Sequence, residues 1–565
     1  MSHGLFEWIT TITHSLIPHN HTMHSSSPQP PLERGKACAR CRRRKMRCDG
    51  QRPACNQCQK ADRADDCEYM DGPGLTQNQM LENEVIELER RIHSISSNSA
   101  PLILHDPYAI WNAAQRSAQN NSDPMRALVQ QFVQHATEFG FFLHIHRFLD
   151  KVFASGAAPS NSLRILLNVM YLVGAKLSNN PQVQAQEQAY LTRALQHLPA
   201  ALPEDPRGAI YVMQAEVILA NYFFSSNRQL EGVYHMNAAV SIAMASKLHM
   251  VRSARRSRST ADAASYRLPP PVDTLEEGER INGFWTVFIL DRCWAVGTGS
   301  APAFTDDEAN GTQIDTPWPM DLAAYQTVGV LSPSLRCALL ISTDVQHPFP
   351  SDFRTTRTVH SFISGVEGEG NAGHQSILAM HAKAAILYEG ATRLASRYNP
   401  SSQAAFLSLD NRIERFRQAL PRLERLDQSR ADAVRTGLLV HTLSHCASIQ
   451  LHTPLVQDRV TANSRTYQAA HAAVRALRSI DDGILGCVNP FLGILWGSVG
   501  KVIMQAMATA RRMRAAGAAS ASQGMPDERI LQSESDLLCR AMGQSAPFSP
   551  LMSAQIRSFR SPRAT

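Results

Sequence analysis

Six cysteines between Cys38 and Cys67 constrain this 565-residue chain more than any other feature in it. Their spacing, Cys38-x2-Cys41-x6-Cys48-x6-Cys55-x2-Cys58-x8-Cys67, writes one half-motif twice: a close pair followed by a third sulfur. A Cys-x2-Cys pair presents two thiolates to one small ion, and tetrahedral zinc takes four sulfurs. Six thiolates serve two zincs when two sulfurs are shared. The spacing therefore predicts a binuclear Zn2Cys6 cluster, two Zn2+ per chain, held by Cys38, Cys41, Cys48, Cys55, Cys58 and Cys67. Two separate four-cysteine sites would need eight cysteines, and a Cys2His2 finger would need a His pair that does not follow. A disulfide framework is the other use of such spacing. Against it, the segment around Phe6 to Ile17 lacks the basic start and apolar length of a secretory signal, and the pairs are too close to bridge comfortably. So short a segment buries no core of its own, so metal binding supplies its folding energy.

Charge is concentrated in the same place. From Arg34 to Cys67 there are 11 Lys/Arg against 4 Asp/Glu, which is the whole formal excess of +7; the rest of the chain holds 45 of each sign. Between Cys41 and Cys48 runs Arg42-Arg43-Arg44-Lys45-Met46-Arg47. Six thiolates and two Zn2+ leave the segment near +5, a patch suited to an anionic partner. A basic run is often a solvated face or a nuclear-import signal; on a metal-pinned turn it favours nucleic acid.

These residues resemble the fungal zinc binuclear cluster transcription factors. The family pattern Cys-x2-Cys-Arg-x-Arg/Lys-Lys-x-Lys/Arg-Cys-Asp-x3-Pro-x-Cys-x2-Cys is met from Cys38 through Cys58, including Asp49 and Pro53. The resemblance implies that Cys38 and Cys55 bridge the two zincs. It also implies that Lys45 reads a guanine pair in the major groove, while Arg42, Arg44 and Arg47 grip phosphates. With Arg43 in the same run, the implied DNA contacts are Arg42, Arg43, Arg44, Lys45 and Arg47. A Lys or Arg head donating to guanine O6 and N7 is the commonest specific base contact. CGG-type triplets as the target follow from the resemblance alone.

Domain organisation reads as follows. Residues 1–33, rich in His, Ser and Pro, form a disordered tail; 34–68 form the DNA-binding module; 69–77, with Asp71-Gly72-Pro73-Gly74, form a linker. Residues 78–97 form a short coiled coil, because Leu81, Val85, Leu88, Ile92 and Ile95 alternate in steps of four and three. Leu81, Val85, Leu88 and Ile92 are the candidate dimerisation residues, although Glu84 would face Glu89 of a partner; a lone amphipathic helix packed on the next domain is the alternative. Residues 101–513 form a large α-helical region, with helices expected over Met125–Phe139, Leu163–Leu177, Gly208–Phe224, Glu231–Leu248, Glu277–Trp294, His374–Tyr398 and Pro490–Met513. Residues 514–565 read as a mostly flexible tail with one short helix over Asp527–Met542, whose acidic residues beside Leu537 and Leu538 offer an activation surface or a face that docks on the bundle. No apolar run reaches bilayer-spanning length, the best being interrupted by Lys501, so no membrane partner is expected.

The helical region resembles the fungal-specific transcription factor regulatory domain, the middle homology region. Gly283-Phe284-Trp285-Thr286-Val287-Phe288-Ile289-Leu290-Asp291-Arg292, then Gly299-Ser300-Ala301-Pro302-Ala303-Phe304, carry its Trp-x2-Phe-x2-Asp-Arg helix and small-residue turn; Ile314-Asp315-Thr316-Pro317-Trp318-Pro319 follows. Phe284, Trp285, Phe288 and Ile289 form an apolar face, and Asp291 and Arg292 cap or pair with neighbouring helices. The resemblance implies regulation and admits a small-molecule effector, which nothing in the residues identifies. Competing chemistry is weaker. Gly368-x-Gly370-x2-Gly373 lacks a βαβ context and carries Glu367 and Glu369, so it reads as an interhelical loop. His144-x-His146 has no matching acid or cysteine nearby and reads as a packed or surface pair. Cys293, Cys337, Cys446, Cys487 and Cys539 read as buried thiols. No enzymatic constellation is found.

The chain thus reads as a mainly all-α protein. The reading is a nuclear, homodimeric, sequence-specific regulator of RNA polymerase II transcription that meets double-stranded DNA and the transcription machinery, with zinc as cofactor. The alternative is a zinc-stapled helical scaffold binding protein partners.

Overall fold

A computed structural model describes residues 36–69, 81–90, 124–153, 159–200, 206–254, 268–325, 354–365, 376–428, 430–455, 464–515 and 526–560. They fall into two units, one within residues 1–112 and the other within 113–565. In the first, α1 (Ala39–Arg43) and α2 (Asn56–Lys60) carry the cysteines, and residues 81–90 form α3. The residues of the second unit make α4 (Pro124–Val133), α5 (Ile145–Phe153), α6 (Asn161–Lys176), α7 (Pro181–Gln184), α8 (Glu187–His197), α9 (Gly208–Ser225) and α10 (Gln229–Ala245). There follow α11 (Thr274–Thr298), α12 (Thr358–Ser364), α13 (Ile377–Ser396), α14 (Gln403–Ala419), α15 (Ala431–His452), α16 (Arg465–Arg478), α17 (Phe491–Ala515), α18 (Glu528–Ser545) and α19 (Pro550–Arg560). No strand occurs among the described residues; Ser253 and Thr355 form an isolated bridge. The proposed loop motif Gly368 to Gly373 and the amino-terminal tail lie outside the described residues.

Helix α11 organises the second unit. It starts where the Asp273 carboxylate accepts from Glu276 N at 2.7 Å, while Glu276 reaches back to Val272 N at 2.8 Å, so two otherwise orphan amides are satisfied. It stops at Gly299, whose φ of 71° closes the last turn, with Ser300 N donating to Ala295 O at 2.9 Å. The chain is then pinned back onto the helix it has left: Asp291 accepts from the amides of Ala303 at 2.8 Å and Phe304 at 3.1 Å. Neighbouring Arg292 donates to Phe304 O at 2.8 Å and to Glu389 on α13 at 3.1 Å. Arg292 and Glu389 are both buried, so each charge is offset by the other. Asp291 and Arg292 thus serve as turn anchor and interhelical pair.

One continuous buried cluster runs from Leu128 on α4 to Met552 on α19. Helices pack mainly as neighbours: α9 on α10, α13 on α15, α15 on α16, and α6 on α4 and α8. Trp294 stacks on Phe224 with ring centroids 3.6 Å apart, and Trp285 stacks on Trp318 at 4.4 Å while donating from Nε1 to Pro317 O at 2.6 Å. His144 and His146 form a ring pair with centroids 5.9 Å apart. Cys293, Cys446 and Cys487 are buried and Cys539 is partly exposed; Cys337 lies outside the described residues.

The carboxyl-terminal segment differs from the sequence-based expectation. Its helix runs over Glu528–Ser545 and a second helix, α19, follows. Leu531, Leu537, Leu538 and Met542 of α18 point into the core, and Glu534 is buried beside His471. Of the two expectations for this helix the structure shows the docking one, with the leucines covered and unavailable as an activation surface. Length and hydropathy also correct the membrane reading. Helix α17 is long and apolar enough to cross a bilayer, with a mean hydropathy of 1.4 over its best window, but 67% of that window is buried inside the unit. A Cβ on Gly500 of α17 would lie 2.4 Å from the Phe559 ring, so the absent side chain is what lets α19 dock.

Leu538→Ala is expected to cost the second unit about 2–5 kcal/mol, the usual range for a buried leucine. It is read as an earlier urea midpoint of the helical signal. An unchanged midpoint would place α18 outside the cooperative core.

Candidate metal centre and nucleic-acid interface

The two cysteine half-motifs fold alike, down to their backbone hydrogen bonds. Cys38 and Cys55 precede α1 and α2, Cys41 and Cys58 lie in mid-helix, and each helix ends in the same turn. After α1, Lys45 N donates to Arg42 O at 3.2 Å and Met46 N to Cys41 O at 2.9 Å; after α2, Asp62 N donates to Gln59 O and Arg63 N to Cys58 O, both at 3.0 Å. This is the Schellman pattern, which places one residue in the left-handed region. That residue is Lys45 in the first half and Asp62 in the second, each with φ of 52°. Pro53, between the halves, follows a cis peptide bond.

The six sulfurs converge. Cys38, Cys41, Cys48 and Cys55 form one quartet and Cys38, Cys55, Cys58 and Cys67 the other, with the sulfurs of each within 4.8 Å of one another. The shared pair is Cys38 and Cys55, whose Sγ atoms are 3.8 Å apart; Cys38 to Cys58 is 3.8 Å and Cys41 to Cys55 is 3.7 Å. A zinc with about 2.3 Å bonds to four sulfurs defines a tetrahedron with edges of about 3.8 Å. The donor set therefore fits two zinc ions sharing two sulfurs. Burial raises the thiols of Cys38, Cys41 and Cys55, so their ionised forms need a nearby cation. Burial also acts on Cys58, but hydrogen bonds from Arg40 and neighbouring sulfurs outweigh it and bring that thiol down to about 7.

Three residues to which the sequence reading gave no structural role hold the frame. Arg40, 8% exposed amid an otherwise solvated basic run, turns inward to hydrogen-bond the Cys58 sulfur. The Asp49 carboxylate accepts from Asn56 N at 3.1 Å, joining the end of the first half to the start of the second. Tyr69 Oη donates to Gln51 O at 2.8 Å and carries Arg52 over its ring at 4.9 Å, and Ala39 N donates to Glu68 O at 2.8 Å, closing the ends of the unit. An arginine in a helical turn at i−1 to a cysteine was the available signal for Arg40; its inward direction is set by the metal-site geometry.

Arg42, Arg43, Arg44, Lys45 and Arg47 are all exposed around the carboxyl end of α1. The Arg42 side chain donates to Ala37 O at 3.3 Å, whereas the side chains of Arg43, Arg44, Lys45 and Arg47 have no hydrogen-bond or ion-pair partner among the described residues. Of the dimerisation candidates, Leu81, Val85 and Leu88 lie on α3 at 53%, 53% and 49% exposure, so their apolar surface is uncovered in the isolated chain; Ile92 lies outside the described residues.

Comparison with known proteins agrees with this geometry. Residues 36–74 match the fungal Zn(2)-Cys(6) binuclear cluster domain, and residues 129–326 match the fungal specific transcription factor domain. Over 85 residues the chain is 36% identical to transcription factor FBD3 of Gibberella moniliformis, an alignment covering 14% of this chain and 11% of that relative. The chain thus matches about a tenth of that curated relative's length. No solved structure matches the chain. One chain thus carries both a fungal Zn2Cys6 cluster domain and a fungal specific transcription factor domain, with a sulfur geometry that fits two zinc ions, the combination expected of a fungal Zn2Cys6 transcription factor.

Proposed function

We propose that this protein is a nuclear, sequence-specific DNA-binding regulator of RNA polymerase II transcription that reads CGG-type triplets as a homodimer. Cys38, Cys41, Cys48, Cys55, Cys58 and Cys67 are the zinc ligands. The observation that carries the reading is the end of α1, where a left-handed Lys45 and unpaired Arg43, Arg44 and Arg47 project from a turn braced by sulfur on both sides. A lysine fixed on a rigid turn reaches base edges in the major groove, while the flanking arginines neutralise phosphates. The short α1 then lies in the groove without needing a long recognition helix. The uncovered Leu81, Val85 and Leu88 face supports pairing of two chains, and paired chains would place two triplets at a spacing set by residues 69–77.

Selection from random duplex DNA with the full, zinc-loaded chain tests this. Paired CGG-like triplets should be enriched, and binding to the selected duplex should fall steeply with salt while keeping its preference over a scrambled sequence. Absence of enrichment from protein carrying two zincs would overturn the reading and leave a scaffold that binds protein partners.

Lys45→Gly separates fold from contact. Glycine takes a positive φ without the cost borne by lysine, so the zinc content should stay at two and the cluster should be no less stable. Affinity for the selected site should nevertheless fall about 5- to 150-fold, the worth of one good base contact at about 1–3 kcal/mol. Unchanged affinity would remove Lys45 from the base-reading role.

Leu88→Glu should weaken binding to paired triplets far more than to a single triplet. Equal losses on the two would exclude α3 as the dimer contact.

A further inference from the structure

Between helices of the second unit lies a partly open cavity of about 180 Å3. Its walls come from α9, α11, α13, α15 and the turns before α5 and α17, and they are mainly apolar, with Ile289, Leu322, Leu439 and Phe491 among them. An apolar cavity of about 150 Å3 is enough to hold benzene. This one is unlike a packing defect, because besides Arg435 four further buried polar side chains line it: Glu138, Asn221, Asn282 and His381.

Three of the four offer an unused acceptor. Oδ1 of Asn221, Oδ1 of Asn282 and Oε2 of Glu138 are fully buried and have no hydrogen-bond partner. Neither amide can be reversed to relieve this, since Asn221 Nδ2 donates to Phe139 O and Val217 O, both at 3.2 Å, and Asn282 Nδ2 donates to Met320 O at 3.2 Å. Glu138 engages Arg435 through its other oxygen, and Arg435 also donates to Gln134 O and Ile484 O, both at 3.4 Å. The Glu138–Arg435 pair leaves the cavity without net charge. His381, 9% exposed, makes no hydrogen bond with the described residues, and burial lowers it to about 4, so it is a neutral imidazole. A buried acceptor without a donor costs about 1–3 kcal/mol, and three around one cavity mark a place where donors are to be supplied from outside the chain.

We propose that this cavity is a binding site for a small, uncharged, largely apolar molecule of single-ring size that carries N–H or O–H donors, recognised by Asn221, Asn282 and Glu138. Size excludes larger ligands, and the acceptor set selects donors: a site built to hydrogen-bond a ligand rejects the isostere that lacks the donor. A charged amine or carboxylate is disfavoured by the neutral, water-poor walls. The site stands apart from the cysteine cluster and does not depend on the DNA-binding reading.

The test uses the full, zinc-loaded chain and two matched single-ring probe pairs, phenol with toluene and resorcinol with meta-xylene, followed by saturation-transfer NMR and thermal shift. Phenol and resorcinol should bind at least tenfold more tightly than toluene and meta-xylene. Leu439→Phe, which fills the cavity, should abolish binding of all four, and Asn282→Leu should erase much of the preference for the donor-bearing member; far-ultraviolet circular dichroism confirms that each variant is folded. If Asn282→Leu does not fold, the matched pairs on the unaltered protein and the Leu439→Phe variant decide the matter alone. Equal binding within each pair would show a cavity without polar selection, no binding would show a cavity that holds water only, and binding that survives Leu439→Phe would lie elsewhere. Any of these overturns the proposal.

Discussion

The first unit depends on sulfur in place of a carbon core. Its buried side chains are those of the cysteines, Ala54 and Arg40, with Cys48 and Tyr69 partly covered. Such a set excludes too little water to fold a chain, and a five-residue helix has no stability of its own. Apparent binding energies of about 10–16 kcal/mol for structural zinc make up the difference. The rest follows from that source of stability. Because the metal holds the chain, no residue between Cys41 and Cys48 is needed for a core, and the stretch is given over to charge. Five neighbouring cations would melt an unsupported helix by mutual repulsion; here Cys38 and Cys41 at one end and Cys48 just beyond the turn keep them in place.

The second unit is stabilised by the opposite means. Its core is mainly carbon, and among its buried charges Arg292 with Glu389 and Arg435 with Glu138 occur as pairs. Outside the cysteine segment the chain is electrically balanced, with 45 residues of each sign. A balanced body adds little to the attraction of a polyanion and little to its nonspecific grip. Charge for contact and carbon for stability are thus kept in separate stretches of one sequence.

What could be read without coordinates follows this division. The cysteine spacing names the metal and its stoichiometry because tetrahedral coordination admits few solutions, and the sulfur quartets have that form. The left-handed Lys45 was not legible, since helix-stop rules look for glycine at that position and the turn here is held by the metal site. In the second unit, α9, α11 and α17 were visible as long apolar stretches. Helix α15 was not, being buried on almost every side: with Thr442, Ser444 and His445 as deeply covered as Leu438 and Leu443, no periodic contrast remains to be seen. Helix α14 escaped for the reverse reason, with only Phe406 and Ile413 buried along its length. For α18 an activation surface and a docking face stayed open as alternatives because the surface that covers Leu537 and Leu538 belongs to segments distant in sequence, and the cavity was invisible because its walls come from seven separate stretches.

Helix α11 shows how one segment serves architecture and cavity together. At about 100° per residue, Trp285, Phe288, Asp291 and Arg292 fall on one side, where they hold Trp318, Phe304 and Glu389. Asn282, Thr286, Ile289 and Cys293, spaced four, three and four apart, fall on an adjacent side and line the cavity. The residues that carry the family resemblance are those that fasten the helix, and those that face the cavity lie between them. Anything seated against the second face presses on a rod anchored by the first, and the rod's neighbours across the cavity, α13 and α15, are themselves joined along their length. Close-packed interiors of this kind transmit strain instead of absorbing it. A small occupant would therefore be felt at the Arg292–Glu389 pair, one turn from the cavity wall, before it was felt at any surface.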